Sequence, residues 1–166
     1  MASKFFDTDL DYSCEEELSA IRSLTNEDLA ESLNDKITVC YALADIDSTQ
    51  YGFGQAFDQK DTLMYFSTMK KFSANSLNSL FENRHEYHLY RSSVKGNLLS
   101  VLKSVYPELT EGNTPEIYHF ALYTQSDIKA SRDSGVRSPR IYFVLADYGR
   151  IYPIFFDPYH ELNPIY

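Results

Sequence analysis

The sequence predicts a single α+β domain over residues 1–166, with N-terminal and central helices packed on one face of a mostly antiparallel β-sheet that ends in a β-hairpin. Three observations carry that expectation. Arg140-Ile-Tyr-Phe-Val-Leu and Arg150-Ile-Tyr-Pro-Ile-Phe-Phe are β-branched and aromatic runs, and Asp147-Tyr148-Gly149 between them supplies the glycine a tight turn requires. Val94, Leu98, Val101, Leu102 and Val105 recur on one helical face, and Pro107 stops the pattern. The 166 residues, 43% hydrophobic and 23% charged, suffice for one ordinary core without disulfide or metal staples.

The elements follow in chain order. Residues 1–35 read as an acidic helical segment whose first dozen residues lack periodicity and are expected to be loosely held. Ser13 and Glu16 have capping-box spacing ahead of a helix carrying Leu18 and Ile21. Thr25 starts a second helix that runs to about residue 34, with Leu24 and Leu29 at the spacing of a hydrophobic staple. Residues 36–46 alternate, with Ile37, Val39, Tyr41 and Leu43 opposite Thr38, Cys40, Ala42 and Ala44, as a strand does. Residues 51–57 read as a strand paired with it, the two glycines marking a bulge. Asp61 is expected to cap a helix bearing Leu63, Phe66 and Met69, and Ser73 a helix bearing Leu77, Leu80 and Phe81. Residues 116–124 alternate again and join the hairpin in an antiparallel meander over residues 116–160. The 94–106 helix is placed on the sheet face that buries Phe143 and Leu145.

Charge narrows the function classes. The net charge is −9, and it divides unevenly: residues 1–66 sum to −10 and residues 67–166 to +1. A like-charged surface repels nucleic acid. The loop 125–139 escapes that objection, since it places Lys129, Arg132 and Arg137 close to Arg140. No window approaches the roughly 20 apolar residues a membrane span needs. The N-terminus lacks a basic region followed by an apolar run, so no secretory signal is expected. Cys14 and Cys40 make neither a disulfide framework nor a zinc site. A cytoplasmic protein with no membrane partner is expected. Fourteen tyrosines and eleven phenylalanines against no tryptophan suit half-buried strands and contact surfaces.

The polar residues at strand ends suit acid–base chemistry on a phosphodiester without a metal or cofactor. Cleavage of RNA through its 2′-hydroxyl needs a base, an acid and a cation beside the phosphate. Arg140, His160, Arg150 and Tyr142 form the expected catalytic set, and Arg91, Lys129, Arg132 and Arg137 the expected substrate contacts. An alternative set, His85, His88, Asp157 and His160, has the ligand types of a zinc or manganese site. His119, in mid-strand, is expected to be a hydrogen-bonded sheet histidine. Asp7, Asp9 and Asp11 have the spacing of a cation loop without its glycine or closing glutamate.

Over about the last quarter of the chain, Arg140-Ile-Tyr-Phe-Val-Leu, the turn at 147–149, Arg150-Ile-Tyr-Pro-Ile-Phe-Phe and His160 resemble, in that order, the late hairpin of the compact RelE/YoeB-type toxin ribonucleases. The resemblance implies RNA or the ribosome as substrate and an antitoxin as partner. It also implies that Arg140 holds phosphate while His160 or a terminal tyrosine transfers protons. A second reading is a non-catalytic interaction protein, such as a phage- or mobile-element-type inhibitor. Its acidic helices would imitate nucleic acid or dock on a basic target. The sequence carries no signal of oligomeric state.

Overall fold

A computed structural model describes residues 14–123 and 129–163. In chain order its elements are α1 (Cys14–Arg22), α2 (Asn26–Ser32), β1 (Thr38–Val39), α3 (Phe53–Ala56), α4 (Gln59–Ser73) and α5 (Leu77–Glu82), then α6 (Arg84–Tyr87), β2 (Tyr90–Arg91), α7 (Gly96–Val105), β3 (Ile117–Ala121), β4 (Arg140–Leu145) and β5 (Arg150–Asp157). The expected cap at Ser13, the aspartates at 7, 9 and 11, and the first five residues of the 124–139 segment lie outside the described residues.

Local chemistry sets the helix starts. Thr25 Oγ1 accepts the Asp28 N–H at 3.1 Å, and the Asp28 carboxylate accepts the Thr25 N–H at 2.7 Å, so the expected cap closes as a box. α4 is capped by Asp58 rather than Asp61. Asp61 is the reciprocal partner three residues on, a role the same S/T/D-x-x-D spacing fits equally well. Likewise α5 is capped by Ser76, while Ser73 ends α4 with its hydroxyl donating back to the Met69 carbonyl.

The strands form one mixed sheet in the order β1-β5-β4-β3-β2. β2 to β5 pair antiparallel and β1 joins β5 in parallel. The expected strand over 36–46 shortens to two residues. The chain leaves the ladder after the Cys40 N–H reaches the Ile151 carbonyl, and the Asp45 carboxylate then gathers Ser48 N–H at 2.8 Å and Thr49 N–H at 3.1 Å into a turn. The expected second strand over 51–57 is a loop ending in the helical turn α3. Its glycines serve close approach: a Cβ on Gly52 would lie 2.5 Å from the Ile46 carbonyl oxygen.

Helices cover both faces of the sheet, not one. Leu18, Ile21, Leu98 and Leu102 from α1 and α7 pack with Tyr142, Val144, Tyr152 and Phe155. Tyr65, Met69, Phe72, Leu77 and Leu80 from α4 and α5 pack with Ile141, Phe143, Ile151 and Phe156 on the other side. α7 therefore lies on the Tyr142 and Val144 face, opposite to the one expected. The physical reason is visible in β4 itself, where five consecutive residues from Arg140 are buried; a strand covered on both sides needs no polar alternation.

One irregularity aims the side chains at the open end of the hairpin. Tyr142 pairs with Phe155 but Phe143 pairs with Pro153, so Ile154 is an extra residue in β5. Pro153, which has no N–H, sits at this bulge. Ile154 and Phe155 consequently face the same cluster, and Phe156 the other. Asp157 is thereby returned to the α7 face, directly opposite Arg140 in the register. At the other end of the hairpin Tyr148 and Gly149 have φ of 55° and 68°, the positive pair of a type I′ turn, closed by Arg150 N–H to the Asp147 carbonyl at 3.1 Å. Among the described residues no helix is long and apolar enough to cross a membrane.

Candidate functional site

The open end of the hairpin carries a buried polar cluster. Strand alternation turns His119 of β3, Arg140 and Tyr142 of β4 and Asp157 of β5 to the α7 face. Nδ1 of His119 lies 2.7 Å from Ser92 Oγ, and its ring centroid is 5.3 Å from that of Tyr142 and 5.8 Å from that of His160. Arg140 is 7% exposed and its Nη1 donates to the Ser138 carbonyl, the Ser138 hydroxyl and the Pro139 carbonyl at 3.0 to 3.2 Å. The Asp157 carboxylate, fully buried, accepts the Tyr159 N–H at 3.2 Å and the Leu162 N–H at 2.7 Å. Those bonds shape the loop that holds His160 in a left-handed conformation, φ 57°.

The electrostatics follow from burial. Desolvation, then the nearby His160 and Arg140, push His119 down to about 3; desolvation and Arg140 push His160 down to about 4. Both imidazoles are therefore neutral at pH 7. Desolvation raises the Asp157 carboxyl and the Tyr142 phenol and lowers Arg140. Tyr142 Oη and His160 Nε2 are buried, and the Asn163 backbone is a polar group set toward both residues. A neutral imidazole can accept a proton and the guanidinium supplies a cation, so the cluster has the groups for acid–base work. Its enclosure is equally plain: His119 is 4% exposed and Arg140 Nη1 is engaged by its own chain.

Three of the four expected catalytic residues, Arg140, Tyr142 and His160, thus share one cluster. Arg150 does not join them. It begins β5 at the turn end of the hairpin, about 23 Å of strand from Asp157 at roughly 3.3 Å per residue, and Nη2 donates to Asp147 at 2.7 Å. The expected substrate contacts disperse as well. Arg91 pairs with Glu116 at 2.9 Å on the sheet edge, Arg132 with Glu161 at 2.9 Å, and Arg137 with buried Asp61, which also accepts the Tyr123 hydroxyl at 2.9 Å. Lys129 is exposed. His85 contacts Tyr90 Oη at 3.2 Å, and His88, at the left-handed end of α6, is remote in sequence and element from Asp157 and His160. Among the described residues no three His, Cys, Asp or Glu side chains gather as a metal site would need.

Ser92 and His119 were not among the expected site residues. The signal for His119 was its place in an otherwise apolar strand; Ser92 had none. Exposed acids gather on α1 and α2, near the turn end of the hairpin. Glu15 and Glu16 are exposed in the first turn of α1, and Glu17 accepts the Tyr152 hydroxyl at 3.0 Å. Glu27, Glu31 and Asp35 on and after α2 are exposed, with no salt bridge to another described residue. Asp28, Glu31, Asp35 and Asp147 line a hollow of about 300 Å³ with Ser32 and Tyr148. No protein-family model, curated protein or solved structure significantly matches the chain.

Proposed function

We propose that this protein acts by binding: its acidic N-terminal helices dock on a basic protein partner, as an inhibitor of phage or mobile-element type would. One observation carries the reading. Arg91, Arg132, Arg137 and Arg150, which an RNA-binding face would use, each hold a carboxylate of their own chain, whereas Glu27, Glu31 and Asp35 on and after α2 are exposed and in no salt bridge with a described residue. A phosphate contact by any of these arginines would first have to break an internal ion pair, so it releases few counterions and gains little. The acidic side pays no such cost. The test compares a lysine-rich polypeptide with a 20-nucleotide RNA as ligands. Reversing Glu27, Glu31 and Asp35 to lysine should weaken polypeptide binding about tenfold or more, while reversing the exposed Glu82, Glu108 and Glu111 should not. Tight RNA binding with a steep salt dependence, or equal effects of the two triple reversals, overturns the proposal.

The gathering of Arg140, Tyr142 and His160 around His119 favours a second reading, a metal-independent endoribonuclease. In it Arg140 supplies the cation and His160 the proton transfer. RNA cleavage in EDTA that leaves a 2′,3′-cyclic phosphate, lost about 10²–10⁴-fold in His160→Ala, is the expected result. Purified protein that cleaves no RNA, on or off ribosomes, excludes it.

A further inference from the structure

We infer that an apolar groove between α2 and the sheet edge seats a hydrophobic anchor side chain of a basic polypeptide segment, whose lysines or arginines occupy the acidic hollow on the opposite flank of α2. The inference rests on the docking reading above and names where that docking occurs. The groove encloses about 510 Å³, within the range of sites that bury a large side chain, and Leu29, Leu33, Phe81, Leu89, Tyr118 and Leu145 line it. Leu29 and Leu33, one helical turn apart, are only half-buried, so the face they present is not filled by the fold. A second, more polar cleft of about 250 Å³ shares Asn26, Leu29, Glu116 and Leu145 with it and continues the depression along α2 toward Ile21 and Arg22 of α1.

Charge selects the occupant. On the other flank of the same helix lie Glu31 and Asp35 with the capping Asp28, and Asp147, itself paired with Arg150, closes the hollow; no lysine or arginine lines it. α2 has acids in its first turn and no base in its last. An anionic lipid surface or a nucleic acid laid across α2 would meet this charge and be repelled. A polypeptide with an apolar residue and cations on one side satisfies both flanks. The width of a helix, about 10 Å, sets the spacing between them. It corresponds to about two helical turns or three extended residues of the partner. Two arginines line the groove: Arg91 is held by Glu116, while Arg84, exposed at the start of α6, directs the cations of a basic ligand away from the groove and toward the far flank of α2.

The experiment uses the full chain and three 18-residue peptides: an amphipathic Lys/Leu helix, a Lys/Gln peptide of equal charge, and a Glu/Leu helix. The Lys/Leu peptide should bind, and the Lys/Gln peptide about tenfold or more weakly, the effect of losing one buried aliphatic side chain. Methyl resonances of Leu29, Leu33 and Leu145 should shift with Lys/Leu only, a readout that needs no variant. Ala30→Trp, placed on an exposed position that lines the groove, should reduce Lys/Leu affinity to the Lys/Gln level and leave Lys/Gln unchanged. Glu31→Lys with Asp35→Lys should weaken both basic peptides. If the charge reversals act but Ala30→Trp and the methyl shifts do not respond, the groove assignment is wrong and the docking reading stands. If the reversals change neither peptide, both are wrong. A Glu/Leu helix that binds as tightly as Lys/Leu removes the acidic hollow from the site.

Discussion

Ser92 Oγ and His119 Nδ1 meet at 2.7 Å inside the protein, and the pair fixes a neutral imidazole in the middle of the sheet. Both His119 and His160 have folded-state values below the ordinary imidazole value of 6.5, at about 3 and about 4. The unfolded chain therefore binds more protons between pH 6.5 and 4. Stability is fully present above 6.5 and falls as the pH drops, by about 1.4 kcal/mol per pH unit for each histidine. Asp61 and Asp157, raised by burial, oppose this trend at the acidic end. The difference between wild type and His119→Asn isolates the histidine. Urea unfolding at pH 7.5, 6.0 and 5.0 should show a shallower slope for the variant; parallel profiles would contradict a buried neutral His119.

Asp61 is fully buried and binds Arg137, Tyr123 and the start of α4 at once. Asp61→Ala should cost about 3–5 kcal/mol, because it strands a guanidinium in a poorly solvated place and opens the capping box. Arg137→Met in the Asp61→Asn background should recover part of that loss. A double-mutant cycle by chemical denaturation checks the coupling.

The hairpin turn offers two opposite outcomes. Gly149 has positive φ and its hypothetical Cβ would lie 2.7 Å from the Lys36 carbonyl oxygen, so Gly149→Ala is destabilising by more than the usual 1 kcal/mol or so of a left-handed position. Tyr148 also has positive φ, with its side chain exposed. Tyr148→Asn provides the residue that favours this conformation and should stabilise by about 0.5–1 kcal/mol. Thermal melts of both variants decide it.

Much of this fold was legible. The glycine turn, the three meander strands, the 94–106 helix and the Thr25 cap all follow from local chemistry acting within a few residues. The second covered face was also written in the sequence, since Ile141, Tyr142, Phe143 and Val144 leave no polar side to β4. The Ile154 bulge was not, because strand alternation carries no mark of which residue the ladder skips. The fate of the arginines was hidden for another reason. Arg91, Arg132 and Arg137 find partners 25, 29 and 76 residues away, and only Arg150 pairs locally. A basic residue in a loop looks available until the fold supplies its counter-charge.

Both outer strands of the sheet, Thr38–Val39 and Tyr90–Arg91, are two residues long. The three strands between them are long and almost wholly apolar, the composition that polymerises when its backbone is offered to a neighbour. Such brief margins present too few unpaired amides to template another chain, and Arg91 places a charge on one of them. The folded protein can thus be rich in tyrosine and phenylalanine at its centre and still resist edge-to-edge aggregation. That protection depends on the margins staying short: lengthening either into a regular five-residue strand would create a surface on which copies could stack.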